Sequence, residues 1–557
     1  MELPVLAIGV IAVLVLGYRF YGRWVARQFA LDDAATTPAH RHRDDVDFVP
    51  ARPFYLFGQH FSAIAAAGPI VGPILACQQF GWVPCLLWIG FGVVFIGAVH
   101  DVSTLVASVR HDARSVAEVV KLQLGPRAWL AILAFIWLAL VYVIVAFVDI
   151  TASTFVTKDA DLRGLELRFN PGGAVALAGL LYLGIALVMG LVDRFLRPPL
   201  WLQTAIFVPA TLFVVWFGTQ HSTWIIVDWR TWTALLLGYC AVASITPMWL
   251  LMQPRGYLGG FVLYGALAIG VIGLFFGDFS IQQPAFTGFT SKGETGVLFP
   301  FLFVTIACGA CSGFHGLVCS GTTSKQIDKE SHCHPIGYGA MLLEAFVALI
   351  ALSTVMILSS AESSKLGPNA IYATGIGRFI TTLIGDSPEH RMIATTFGAM
   401  ALSTFIFDTL DSATRLGRYV LQELLGTTSR ASAVLTTVIT CAVPLALLQV
   451  SKEGSFRLFW TLFGSSNQLL ASLSLLAISV WLFRAGKKPW FTVVPMVLVM
   501  AVTVTALSLQ ARALWRADAG SAPWINGLVA VVLLALATTL VVYGARVVLR
   551  RTPAVAA

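Results

Sequence analysis

Runs of about 20 apolar residues, each long enough to carry a helix across about 30 Å of hydrocarbon, recur along this chain some fifteen times. They fall near residues 3–22, 54–77, 82–108, 128–150, 173–192, 200–218, 232–252, 257–277, 298–320, 337–359, 391–411, 431–450, 458–483, 490–511 and 525–548. Backbone enters hydrocarbon only when its own groups hydrogen-bond to one another, so the fold class is an all-α polytopic membrane protein. Composition agrees: of 557 residues 57% are hydrophobic and 11% charged, against about 25% charged in soluble domains. The longest hydrophilic stretches are 23–53, 151–172 and 360–390, too short for a soluble domain, and the last holds a partial helix in "NAIYATGIGRFITTLIG".

The first run lacks a basic flank before it and a small-residue cleavage site, and Arg19, Arg23 and Arg27 follow it. It reads as a retained span. The eight cysteines lie mostly inside apolar runs and suggest no disulfide framework. A net charge of +8 could point to nucleic acid, but the basic residues sit in short loops beside spans, where membrane orientation places them. With the N-terminus outside, about two-thirds of Lys and Arg fall in cytoplasmic loops, so the N-terminus is expected in the periplasm and the C-terminus in the cytoplasm. The segment "ARSVAEVVKLQLG" has helical spacing and is expected along the inner interface.

The second span, "FGQHFSAIAAAGPIVGPILA", and the ninth, with "CGACSGFHGLVCSGTTSK", each carry a His and a cluster of small residues. The fourth ends "FVDITAST" and the eleventh ends "FDTLDSAT". Each pair of partners runs in opposite directions, the mark of an inverted repeat. The expected organisation is 1–53 as first span and cytoplasmic linker, 54–485 as transporter core with repeats near 54–277 and 298–485, and 486–557 as peripheral spans. Both small-residue clusters read as discontinuous helices whose free ends face a ligand; close helix packing is the bland alternative. Gly68, Gly72, Ser312, Gly313 and His315 are the substrate-binding candidates there, with Asp411 and Thr414 of "TLDSATRLGR" facing them. The bland reading of Asp411 is an ion pair with Arg415, one turn on. Ser465, Ser466, Asn467 and Gln468 serve capping or packing as readily as binding.

His60, Asp101 and Glu344 all fall roughly 9–13 Å inside the inner face at 1.5 Å per residue, with His315 deeper. Buried ionisable groups at such depth mark ion or proton paths. Glu344, without a nearby cation in sequence, is the first candidate for carrying a proton, with His60 and Asp101 as neighbours. The rival is sodium, held by carbonyls at the first break and the hydroxyls of "TLDSAT". Other chemistries fit less well. His332, Cys333 and His334 have metal-ligand chemistry but are placed in a cytoplasmic loop without a second matching pair. Ser312 with His315 lacks the acid and oxyanion site of a hydrolase, and no nucleotide-binding motif is present. No enzyme, metal or cofactor is expected.

"GQHFSAIAAAGPIVGP", "GAVHDVSTLVASVRH", "ACSGFHGLVCSGTTSKQI", "IGYGAMLLEAFVALIAL", "TLDSATRLGRY" and "FGSSNQLLA" span most of residues 54–485. Together they resemble the carbon starvation protein A (CstA) family of bacterial inner-membrane transporters. The resemblance implies a LeuT-like fold akin to the amino acid–polyamine–organocation superfamily and an energised importer of pyruvate or small peptides, tied to nutrient limitation. "SHCHPIGYGA" departs from the family pattern, as do the short outer loops. A small anion such as pyruvate suits two helix breaks better than a dipeptide, so proton-driven uptake of pyruvate leads, with peptide uptake as the alternative. A passive channel would need a continuous polar stripe, and a membrane sensor an output domain. The expected partners are a small-molecule substrate and the lipid bilayer.

Overall fold

A computed structural model describes residues 2–44, 48–65, 67–156, 169–290, 296–427, 429–515 and 521–550. Most of the stretch 151–172, and the C-terminal residues on which the expected cytoplasmic end falls, lie outside the described residues. Among the described residues there is helix and no strand, only isolated bridges at Ala51–Ile327 and Thr290–Val297.

Twelve described helices are long and apolar enough to cross a bilayer. The remaining three expected spans are helical in other ways. Pro53–Ile64 and Gly68–Phe80 form one span bent by 46°, Leu298–Thr305 and Gly313–Val318 are two short pieces, and Trp229–Ile245 has 17 residues. Large apolar side chains stand exposed along the helices, among them Trp201, Ile206, Leu212 and Phe213 on Leu200–Gln220. Water would oppose such a surface, so these faces meet lipid and the protein is a multi-pass membrane protein.

Two helices carry corrections to the sequence reading. The partial helix of 360–390 is a full one, Pro368–Ile384, whose buried face packs on Pro388–Leu424 through Gly377 and Gly398. His332 and His334 are not in a loop: they belong to the helical stretch Glu330–Met356, which starts before the expected span. There the His334 ring stacks on Tyr18, centroids 4.7 Å apart. The segment Val116–Leu124 is helical, and Ser115 with Glu118 closes its first turn as a capping box.

The chain divides into two compact units. One comprises Met1–Ala7, Leu140–Pro284 and Ile350–Phe459; the other comprises Ile8–Ala139, Ala285–Leu349 and Trp460–Ala557. Each draws on both expected repeats, and each pair of look-alike spans falls largely in a single unit.

Contacts inside each unit follow the expected alternation of faces. In the second unit, Arg110 forks onto Glu330 (3.1 and 2.8 Å), Asp33 accepts from Ser331 Oγ (2.9 Å), Arg41 meets Asp112 (3.1 Å) and Lys487 Nζ donates to the Phe29 carbonyl (2.9 Å). All of these join loops assigned to one face. Those assigned to the other meet at Val83 N–H to Ala285 O (2.9 Å) and Thr287 Oγ1 to Gln79 O (2.7 Å). In the first unit, Gln283 donates to Leu358 O (2.7 Å) and Asn170 N–H to Ser222 Oγ (3.2 Å), again within one assigned face.

Candidate functional site

The two broken spans meet each other in the second unit at Gly68 and Gly72, and Gly313 packs on the thirteenth span. A Cβ on Gly68 would lie 2.4 Å from Cys308 Sγ, one on Gly72 2.5 Å from the Thr305 carbonyl, and one on Gly313 2.4 Å from the Asn467 carbonyl. No side chain fits at these three positions.

Breaking the ninth span frees backbone groups that hydrocarbon cannot satisfy, and neighbouring side chains take them up. Gln468 Nε2 donates to Phe303 O (3.0 Å), Trp460 Nε1 to Thr305 O (3.0 Å) and Trp88 Nε1 to Ile306 O (3.3 Å). Asn467 Oδ1 accepts the Phe314 N–H at 2.9 Å, while its Nδ2 donates to Ser312 Oγ at 3.0 Å. The polar residues of "FGSSNQLLA" therefore include the caps of the break. Ser312 is fully buried in this arrangement.

One turn beyond the cap, His315 lies between two carboxylates. Its Nδ1 is 2.9 Å from Asp101 Oδ2 and its Nε2 is 3.3 Å from Glu344 Oε2. The second contact is not aligned as a hydrogen bond, and neither Glu344 oxygen has a hydrogen-bond partner. Asp101 also takes His100 Nδ1 at 2.7 Å, so it faces two imidazoles. All four side chains are buried. His60 joins less directly: its Nδ1 meets Thr323 Oγ1 at 2.9 Å, where the helix loosens into π geometry over Cys319–Thr323. Its Nε2 lies 3.9 Å from Cys319 Sγ, which donates to the Asp101 carbonyl at 3.6 Å. The structure thus brings Asp101, His315 and Glu344 into direct contact and His60 to their edge. Among the described residues no three His, Cys, Asp or Glu side chains converge to hold a metal.

Asp411 and Thr414 belong to the first unit, where Asp411 sits in a second charged cluster. Arg255, at the start of Met252–Phe276, reaches Asp408 Oδ1 through Nη2 (2.6 Å) and Nε (2.9 Å). Its Nη1 contacts Asp411 Oδ2 (2.5 Å) and Tyr239 OH (2.6 Å). Tyr239 donates to Asp411 Oδ2 at 2.9 Å. The Asp411–Arg415 pair of the bland reading does not form: Arg415 Nη2 donates to the Ala243 and Thr246 carbonyls at 2.8 and 2.7 Å. Thr414 returns its hydroxyl proton to Leu410 O at 2.8 Å. Arg255, Asp408 and Tyr239 escaped the sequence reading, although Asp408 and Asp411 share a helix face with no cation between them.

Twelve described helices fit to cross a bilayer, with a buried charge cluster in each unit, describe a membrane transport protein by class, and relatives agree. The chain belongs to the carbon starvation protein CstA family, whose model matches residues 3–367 and 359–506. It is 32% identical to the peptide transporter CstA of Escherichia coli strain K12, over 89% of this chain and 79% of that one. To the peptide transporter CstA of Mycobacterium tuberculosis strain H37Rv it is 33% identical, over 88% and 73%. To the pyruvate/proton symporter BtsT of Escherichia coli strain K12 it is 31% identical, over 89% and 80%. A solved manganese transporter of Eremococcus coleocola resembles it remotely, at 12% identity and a TM-score of 0.45, over 92% of this chain and 99% of that one. The chain is a transporter and not an enzyme.

Proposed function

We propose that the chain imports small carboxylates, pyruvate first among them, by proton-driven alternating access between inverted repeats, without a cofactor. The observation that carries the proton reading is Glu344: fully buried, 3.3 Å from His315 Nε2, with no hydrogen-bond partner for either oxygen. A carboxyl so placed is neutral when protonated and pairs with the imidazolium when ionised, two states a carrier needs. Asp101 and His60 serve as its neighbours. Ser312 and His315 at the ninth-span break, beside Gly68, Gly72 and Gly313, are substrate-binding residues of the second unit, and Asp411 with Thr414 are those of the first. Peptide uptake is the second reading, favoured because relatives of equal identity are named peptide transporters.

Labelled pyruvate and a labelled dipeptide, offered to proteoliposomes under separate pH and sodium gradients, test this directly. Pyruvate is expected to accumulate under an inward proton gradient and only to equilibrate under sodium alone. Dipeptide accumulation without pyruvate replaces the substrate, accumulation driven by sodium replaces the ion, and equilibration under every gradient means a channel.

We place the protein in the bacterial inner membrane with a periplasmic N-terminus and a cytoplasmic C-terminus. In a cysteine-free background, a membrane-impermeant maleimide is expected to label Gln282→Cys in intact cells whose outer membrane is permeabilised, and Lys488→Cys only after lysis. The reverse pattern inverts the topology.

A further inference from the structure

The second buried cluster contains a feature that a carboxylate carrier can use. Arg255 is 1% exposed, so its charge must be compensated inside the protein. Two carboxylates do this, and they are not equivalent. Asp411 is 0% exposed, and its Oδ2 is tied to both Arg255 Nη1 and Tyr239 OH. Asp408 is 26% exposed and meets the guanidinium through Oδ1 alone, which receives both Nε and Nη2. A guanidinium edge offers two parallel donors that suit two carboxylate oxygens. Here both converge on one, so the pairing is short of the bidentate match an incoming carboxylate can make.

We propose that Asp408 is a displaceable counter-ion: a substrate monocarboxylate takes its place on the Nε/Nη2 edge of Arg255 while Asp408 takes up one proton. This rests on the carboxylate reading above and deepens it, naming the cation that recognises the anion. The charges balance. Before exchange the edge holds Asp408⁻ against Arg255⁺; afterwards it holds substrate carboxylate against Arg255⁺, beside neutral Asp408. Without the proton, the cluster would carry three carboxylates against one guanidinium, a buried excess that disfavours binding. Substrate and proton are then bound together by electrostatics alone. The other groups facing this edge do not replace Asp408. Tyr239 and Asp411 stay bound to each other, the Tyr182 hydroxyl is engaged with the Arg255 carbonyl at 2.8 Å, and Arg415 is held by Ala243 and Thr246.

The test is pyruvate binding to purified full-length protein between pH 6 and pH 8.5, in a Glu344→Gln background that removes the other carboxyl. Because one proton is bound with each substrate carboxylate, affinity is expected to weaken about tenfold per pH unit across this range. Asp408→Asn, nearly isosteric, is expected to bind pyruvate with no such slope and at least tenfold more tightly at pH 8.5. If that variant does not fold, dye-reported proton uptake on adding pyruvate to the Glu344→Gln protein gives the same answer, with close to one proton per pyruvate expected at pH 8. An unchanged slope in Asp408→Asn, or no proton uptake, overturns the exchange and leaves the carboxylate reading standing. Absence of pyruvate binding at every pH overturns that reading, and the exchange with it.

Discussion

Glu344→Gln is expected to lower concentrative uptake under a pH gradient about tenfold per pH unit, the share its own proton supplies, while leaving substrate exchange across the membrane in place. The substitution keeps the volume and one carbonyl oxygen facing His315 but cannot bind and release a proton. A gradient of one pH unit stores about 1.4 kcal/mol per proton, enough for roughly tenfold accumulation for each proton carried. A transporter that has lost this carrier but keeps the proton exchanged at Asp408 therefore falls from about a hundredfold accumulation to about tenfold. Counterflow, in which labelled substrate exchanges for unlabelled, needs only the substrate-loaded half of the cycle and should persist. The two assays together separate the carrier from a structural role. If Glu344 merely braces the His315 imidazole at 3.3 Å, removing its charge would lower both activities in step with folded protein. Undiminished proton-driven accumulation in Glu344→Gln would remove it from the coupling path.

The sequence made much of this arrangement legible because a bilayer imposes simple rules. Length and apolarity alone located the helices, and counting spans placed the loops of Arg110, Glu330, Lys487 and Phe29 on one face, where Arg110 does pair with Glu330 and Lys487 reaches the Phe29 carbonyl. Depth from the span ends brought out Asp101, His315 and Glu344, since a charge below the interface needs a partner at similar depth. Arg255 was lost for the converse reason. In "LMQPRGYLGG" a polar quartet between apolar runs reads as a loop, and only packing reveals that the helix starts at Met252 and buries the guanidinium. A local rule also offered Asp411 a pairing that packing withdraws: Arg415 at i+4 is a sufficient partner in an isolated helix, yet carbonyls at the end of another helix claim it. The glycine clusters were open to two meanings, and both describe the same residues. The spans break there, and the breaks are also where the spans press together.

That dual role determines which substitution can probe the break. Leucine at Gly68 or Gly313 would collide with Cys308 or with the Asn467 backbone whether or not substrate binds nearby. Asn467→Ala adds no atoms and instead removes the cap. It leaves the buried Phe314 N–H without its 2.9 Å acceptor and Ser312 Oγ without its 3.0 Å donor, at about 1–3 kcal/mol for each orphaned group. The His315 helix begins at Gly313, and only its first six residues are regular α-helix before it loosens into π and 3-10 turns up to Gln326. It has little internal stability with which to absorb that loss, so its first turn is expected to fray and carry His315 away from Asp101 and Glu344. Transport by Asn467→Ala should fall at least tenfold, with insertion and yield close to wild type because the long flanking helices are untouched. Asn467→Asp keeps an acceptor for the Phe314 N–H and should recover part of the loss. Normal transport by Asn467→Ala, or equal loss in both variants, would mean that the cap does not position the His315 cluster.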